Sequence, residues 1–373
     1  LFDDAVVGAG IVGLAHAYHL AKRGRKVVLI ERNPRAQGAS IRNFGMIWPI
    51  GQGAGRAHRT ALRSREIWLE VLQQSGLWHN HCGSLHLAYR EDEAEVLREF
   101  ASLGDYDGEL LDAEGAQKRS QAINPKGLMS AFWSPTELCV DPREVIAGLP
   151  GWLQQTYGVA LRFGHPLVGY DRPTVTCGAI TEQANHLWLC PGDEVTGPFA
   201  DTLTGLALQR TKLQMMRTVP QTGDWKLGPF LAAGLTLRHY TCFESCKSLQ
   251  EVVNRVARET PEFDRWGIHV MAAQNGLGEL VLGDSHVYGD EIGPFDSPEI
   301  DRLIMDYLNT FLIAPTLEIA GRWHGTYAKK SNTTHVVARP DKGVTIIAGL
   351  GGAGMTMSFG IAEQVVRETI GEG

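Results

Sequence analysis

Residues 3–32 read DDAVVGAGIVGLAHAYHLAKRGRKVVLIER, and this stretch decides the fold. Ala5–Val7 is a short apolar run bounded by acids and glycine, which suits a buried parallel strand. Gly8, Gly10 and Gly13 then spell G-x-G-x-x-G. Ile11, Leu14, Ala15, Tyr18 and Ala21 recur at helical spacing, and Lys22-Arg23-Gly24 closes the helix with cations and a glycine stop. A second strand, Lys26 to Ile30, delivers Glu31. The glycines permit a tight turn, so a pyrophosphate can rest on the open N–H groups where the helix begins, at Ile11 and Val12. Glu31 stands about twenty residues past the first glycine, where a carboxylate accepts ribose hydroxyls. Arg32 beside it hints at a 2′-phosphate, which the acid argues against. The unit is therefore expected to bind a dinucleotide, and by itself does not separate FAD from NAD.

The chain has 373 residues, long for one domain, and 43% hydrophobic residues with 21% charged, ordinary for a globular enzyme. A net charge of −7 and a pI near 6.0 argue against a nucleic-acid partner. Apart from Ala5–Leu20, which the glycine motif explains, no stretch is apolar enough to span a bilayer. The six cysteines are scattered without C-x-x-C, so a reduced, cytoplasmic protein without a bound metal is expected. The sequence leaves the oligomeric state open.

Outward from the opening unit, residues 41–49 (IRNFGMIWP) are too rich in special residues for a plain linker: Arg42 and Asn43 can donate to phosphate or flavin oxygens, and Gly45 lets the backbone pass close to a flat ring. Helices are expected at 59–74, 92–103, 249–259 and 298–311, another opens at Val140-Asp141-Pro142-Arg143, and a hairpin-like region covers 158–190. Residues 212–219, 235–243, 268–274 and 280–283 are expected as strands of one antiparallel sheet. At the far end a strand (343–348) feeds a second glycine loop, GLGGAG at 349–354, and a closing helix. Such a helix start offers bare N–H groups and positive potential, fit to stabilise negative charge on a reduced flavin.

These features together resemble the FAD-dependent D-amino-acid oxidase, glycine oxidase and sarcosine oxidase family. The resemblance covers essentially the whole chain and rests on GAGIVG with Glu31, GASIRNFGM at 38–46, VDP at 140–142 and GLGGAGMTMSFGIAE at 349–363. It implies an α/β fold: a glutathione-reductase-like, Rossmann-type FAD domain (1–80, 138–210, 321–373) with an inserted α+β substrate domain (81–137, 211–320) carrying a mixed or antiparallel sheet. It implies FAD held by Gly8, Gly10, Ile11, Val12, Gly13, Glu31, Arg32, Ser40, Arg42, Asn43, Phe44, Gly45 and Met46. Leu167, Pro191, Gly192, Gly351, Gly352, Gly354, Met355 and Thr356 complete the set. The implied chemistry is hydride removal from a carbon bearing an amine, giving an imine that hydrolyses to a carbonyl, with O2 or another acceptor taking the electrons. Two departures from the family stand out. Gly325 occupies the place of the cysteine that tethers flavin in sarcosine oxidases, so attachment is expected to be non-covalent. Met271 and Tyr327 stand where glycine oxidases clamp the substrate carboxylate with a tyrosine and an arginine.

The missing arginine removes a bidentate carboxylate partner. The wording of 40–52 (SIRNFGMIWPIGQ), 191–193, 213–219 (LQMMRTV) and 283–286 is similar to a branch of the family associated with aminophosphonate breakdown. The expected substrate is therefore a small anionic amine, best an (N-methyl-)2-aminoethylphosphonate giving phosphonoacetaldehyde. His286, Tyr327, Lys330 and His324 are expected around the anion, with Trp48 walling the amine end. The competing readings are a glycine, sarcosine or D-amino-acid oxidase, a nicotinamide-linked dehydrogenase, and a flavin-fold binding protein without turnover.

Overall fold

The computed structural model describes residues 1–289 and 292–371; positions 290, 291, 372 and 373, which the expected domain ranges include, lie outside it. Five strands run parallel in the order 160–163, 27–31, 2–7, 180–189 and 344–348. Val27–Glu31 and Val344–Ala348 are buried throughout, as parallel strands covered on both faces must be. The register aligns Val7 with Ile30 on one side and Leu189 on the other, so three strands end together at Val7, Glu31 and Leu189. Ligands of open parallel sheets bind outside such carboxyl ends.

The helices Ile11–Lys22, Arg56–Ser75, Pro142–Tyr157 and Gly354–Ile370 pack on this sheet. Phe359 meets Trp68 and Tyr18 edge-on, with ring centroids 4.8 and 5.6 Å apart. Each fully buried side chain of this size contributes about 1.5–3 kcal/mol relative to exposure. The expected helix after Val140 starts where Asp141 Oδ1 accepts the N–H of Arg143 at 2.9 Å, with Pro142 in the first turn.

A second, nine-stranded sheet has the core order 209–220, 279–283, 271–274, 230–233, 84–88, 130–134, 109–112, with 319–329 and 287–288 on Gln209–Pro220. It is mixed, because Phe230–Ala233 runs parallel to Ser84–Ala88. Glu91–Leu103, Leu249–Glu259 and Pro298–Phe311 are the helices of its core.

Two expectations change here. The segment 235–243 is not a strand: the strand lies upstream at Phe230–Ala233, and the chain then makes 3-10 turns at Gly234–Arg238 and Thr241–Phe243. Thr236 Oγ1 donates back to Ala233 O at 2.6 Å, closing the turn, while Leu235 and Leu237 remain buried. The alternation of apolar Leu235 and Leu237 with Thr236 and Arg238 in the sequence imitates a strand, although residues 234–237 are all buried. The chain also does not return to the first sheet at 321, since Ile319–Lys329 is a long strand of the second sheet and the first is rejoined at Val336–Ala338.

Candidate active site

A cavity of about 760 Å³ runs from the ends of the parallel strands to the second sheet. Its first end is made mainly of backbone. Gly8 sits at φ +102°, where a side chain would be strained, and a Cβ there would come 2.3 Å from the Cys190 carbonyl. The helix Ile11–Lys22 has no side-chain cap from its Gly10 start; Ser40 Oγ accepts the Ile11 N–H at 3.0 Å, and the next N–H groups have no intrahelical acceptor. Glu31 is buried, with Oε2 accepting from the Ala9 N–H at 2.9 Å and Oε1 from the Asn33 N–H at 3.1 Å. A carboxylate has about four lone-pair sites, so acceptor capacity remains for a ribose hydroxyl. The helix Gly354–Ile370 likewise starts without a side-chain cap, after the loop containing Gly351 and Gly352. Two bare helix starts, glycine walls and a buried carboxylate fit a dinucleotide.

The other end is made of side chains. Trp48 is 3% exposed, and its indole N–H has no hydrogen-bond partner among the described residues. Its ring lies 5.8 Å from that of Tyr240. Tyr327 and His286 face each other with ring centroids 6.2 Å apart, and Tyr327 Oη lies 3.5 Å from where a Cβ on Gly352 would stand. Burial, reinforced by the Asp284 carboxylate, pushes the Tyr327 phenol well above its ordinary range, so it stays a neutral donor. Burial drives His286 well below its ordinary value, against the opposing pull of Asp284. Asp284 itself is raised to about 7 by burial, with His286 opposing.

Most of the residues expected from the sequence line this one cavity. At the nucleotide end these are Gly8, Gly10, Ile11, Val12, Glu31, Arg32, Ser40, Arg42, Asn43, Phe44, Met46, Leu167, Pro191, Gly192, Gly351, Gly352, Gly354, Met355 and Thr356; at the other end Trp48, His286, Tyr327 and Lys330. Three expected residues do not. A Cβ on Gly13 would fall 1.8 Å from the Gly8 carbonyl, so this glycine lets helix and strand approach. Gly45, at φ +75°, is held against Val140, whose carbonyl would lie 2.0 Å from a Cβ, and not against a ring. His324 is one residue out of phase with Gly325 and Tyr327, so the pleat turns it to the opposite face, where Nδ1 lies 2.8 Å from Asp296 Oδ1.

Two cavity residues have other duties than those expected. Asn43 uses both amide hydrogens on the carbonyls of Ala39 and Ser40 at 3.0 Å, shaping the loop. Arg32 pairs with Glu194 at 2.9 Å, which disfavours a 2′-phosphate there. Sequence reasoning missed Arg238, His239, Tyr240, His269 and Tyr288, all of which line the cavity. Arg238 to Tyr240 arrive through the 3-10 turn that was read as a strand. Arg238 brings an arginine to the cavity wall, where it is ion-paired with Asp264.

Residues 3–368 match the family model described as DAO, FAD dependent oxidoreductase. The tRNA 5-methylaminomethyl-2-thiouridine biosynthesis bifunctional protein MnmC of Maricaulis maris is 24% identical over 98% of this chain and 52% of its own. The monomeric sarcosine oxidase of Streptomyces avermitilis is 26% identical over 51% of this chain and 52% of its own. The chain thus spans about half the length of these curated relatives, and about a quarter of another MnmC, from Methylobacillus flagellatus. The glycine oxidase structure from Bacillus cereus superposes with a TM-score of 0.79 at 16% identity, covering 100% of this chain and 96% of that one. L-proline dehydrogenase from P. horikoshii gives 0.74 at 19%, covering 100% and 94%. Both share the fold of a Rossmann-type domain with a substrate domain. No helix of the described residues is long and apolar enough to cross a membrane.

Proposed function

The chain belongs to the DAO family of FAD-dependent oxidoreductases, and from that premise we propose that it oxidises the C–N bond of a small amine carrying a tetrahedral anion, best an (N-methyl-)2-aminoethylphosphonate. Bound FAD supplies the two-electron acceptor. The observation that carries the reading is the continuity of one cavity from a backbone-lined nucleotide end to a chamber of neutral donors, Tyr327, His286 and their neighbours. The nucleotide end would hold FAD through the helix starts at Gly10 and Gly354, with Glu31 on the ribose. Gly325, beside Arg42 and Leu213, leaves no thiol at the tethering position, so the cofactor is held without a covalent bond. Segments 1–80 and 138–210 would form the FAD domain with the chain from Val336 onward, and residues 81–137 and 211–329 the substrate domain.

In the chamber, Trp48 and Met271 present apolar surface that excludes water from the amine carbon. Positioning the C–H bond and keeping the amine neutral matter more here than a strong protein base. The imine that leaves hydrolyses to phosphonoacetaldehyde and releases methylamine or ammonia. Met271 in place of a clamp residue supports a tetrahedral anion, because point donors can serve it where a planar carboxylate prefers a fork. Arg238 in the cavity wall favours a second reading, an oxidase of an ordinary amino acid such as glycine or sarcosine. For that arginine to serve, it must leave Asp264. Comparing kcat/KM for 2-aminoethylphosphonate, its N-methyl derivative, sarcosine, glycine and D-alanine decides between them. A phosphonate should win; a carboxylate ahead by tenfold, about 1.4 kcal/mol of transition-state preference, would assign the second reading instead.

A further inference from the structure

Three imidazoles meet in the chamber that the sequence did not bring together. His239 follows the turn Gly234–Arg238, His269 precedes the strand Met271–Gln274, and His286 follows the strand Glu279–Gly283. The rings of His239 and His269 stack at 3.8 Å and 20°, and those of His269 and His286 at 4.9 Å and 23°. His269 is 3% exposed and His286 4%. His269 Nε2 lies 2.9 Å from Asp284 Oδ1 but out of line for a hydrogen bond, so both its ring nitrogens lack a partner among the described residues, as does Nδ1 of His286. Buried polar nitrogens without partners are costly, and their grouping at a cavity wall points to a ligand that satisfies them.

The ligand's charge follows from the surroundings. One ligand nitrogen from each ring falls within a 4.8 Å cluster, which admits a metal ion on distance alone. Yet near-parallel rings send their in-plane lone pairs side by side, whereas a metal needs them to converge at about 2.0–2.1 Å. The fixed charges also oppose a cation. Arg238 stands beside His239 and His269, and Lys329 acts on His239 and His286, all in the sense that disfavours further positive charge. Tyr240, Tyr288 and Tyr327 face the stack as phenols, and Asp284 is its one close carboxylate among the described residues. Burial first, then the neighbouring imidazoles and these cations, keep the three histidines neutral near pH 7 in the free protein, against the opposing pull of Asp284 on His286 and with His269 brought down to about 3.

We propose that His239, His269 and His286 form the receptor for the anionic end of the substrate, and that binding a tetrahedral dianion there draws about one proton from solvent onto the cluster of these rings and Asp284. The inference rests on the reading of this chamber as the substrate site. Each neutral ring offers one N–H, and a buried dianion beside the stack favours protonation of its most basic neighbour, the Asp284 carboxyl already raised to about 7, ahead of the imidazoles, so the proton comes from water and ends within the cluster of Asp284 and the three rings. No bond in the ligand changes. A monoanionic carboxylate supplies less of this field and should draw less of a proton.

The test is calorimetric titration of the FAD-loaded protein with sulfate, a tetrahedral dianion that does not itself titrate near neutrality, in two buffers of different ionisation heat. Uptake of about one proton per sulfate is expected, with affinity falling close to tenfold per pH unit above pH 7. His239→Asn and His269→Asn should each weaken sulfate at least tenfold, and Asp284→Asn should diminish the uptake, while flavin content and Tm stay near those of the parent. If those variants fail to fold, the pH dependence of the parent still decides. Binding without proton uptake, affinity flat with pH, or one equivalent of Zn²⁺ bound tightly and lost in His239→Asn overturns the receptor. Amine turnover with no proton uptake refutes the receptor and leaves the reaction; uptake with no amine oxidised refutes the reaction and leaves the receptor.

Discussion

At the nucleotide end of the cavity the working groups belong to the backbone, whereas at the histidine end they belong to side chains. Gly8 admits no side chain, since at φ +102° a Cβ would come 2.3 Å from the Cys190 carbonyl, so few substitutions are compatible with its place there. Tyr327, His286 and Trp48 act through atoms carried on a sheet whose backbone would tolerate other residues. On the proposed function the difference teaches where the two functions would reside: cofactor binding would be inseparable from the fold, and substrate choice would be set by exchangeable side chains on it. Five predictions test that division.

Gly13→Val should have the largest effect, because a Cβ there collides with the backbone at Gly8. We expect a loss of about 3 kcal/mol or more and colourless protein, read by Tm and flavin content. A yellow, stable variant would break the claim that fold and cofactor binding are one property.

Acid should be nearly as severe, and it strikes both ends. Burial lowers His16 to about 4 and His19 to about 3 in the first helix, and His86 and His269 to about 3 on the substrate side. Each has a folded value below its unfolded one, so the unfolded chain takes up protons first and stability falls as pH drops below 6.5, by up to about 1.4 kcal/mol per unit per histidine. Asp284, raised to about 7 by burial, works the other way, losing stability as pH rises from about 4 to 7. Four groups outweigh one, so Tm should fall steeply between pH 6.5 and 5; a flat profile would contradict the buried neutral histidines.

Glu31→Ala should leave a folded protein that holds FAD about ten- to a hundredfold more weakly, since the ribose hydroxyl loses a charged acceptor worth about 1.5–3 kcal/mol. Flavin retention on dilution measures it. At the side-chain end, Tyr327→Phe should keep its flavin and lose about tenfold in kcat/KM, the worth of one hydrogen bond to an anion. His324→Ala, on the far face of the same strand, should change kcat/KM by less than about twofold, as expected of a residue outside the cavity. The reverse order for these two would invert the assignment of the strand's faces.

The same division explains what could be read from the sequence. Backbone-made sites need particular residues at particular spacings, so the first glycine unit, Glu31 and the loop at 349–354 were legible, as was the helix opened by Asp141 and Pro142. Chamber residues come from strands and turns far apart in the chain. Tyr327 and His286 were reached through resemblance, but His239 and His269 carried no local signal, and His324 was misplaced by a single step of the pleat. The turn that delivers Arg238, His239 and Tyr240 was hidden because the alternation of apolar Leu235 and Leu237 with polar Thr236 and Arg238 in the sequence imitates a strand. Asn43 and Gly45 show the converse: their residue types suit a ring or phosphate, yet the loop itself consumes them.

The central claim is that one cavity holds FAD at its glycine end and an anionic amine at its histidine end. Anaerobic titration of the FAD-loaded protein with N-methyl-2-aminoethylphosphonate tests it most directly. The yellow flavin band should bleach at one equivalent in the parent, and more slowly in His286→Asn at equal flavin content. A band that persists under excess of this amine, 2-aminoethylphosphonate, sarcosine and glycine alike, in protein fully loaded with FAD, would contradict it.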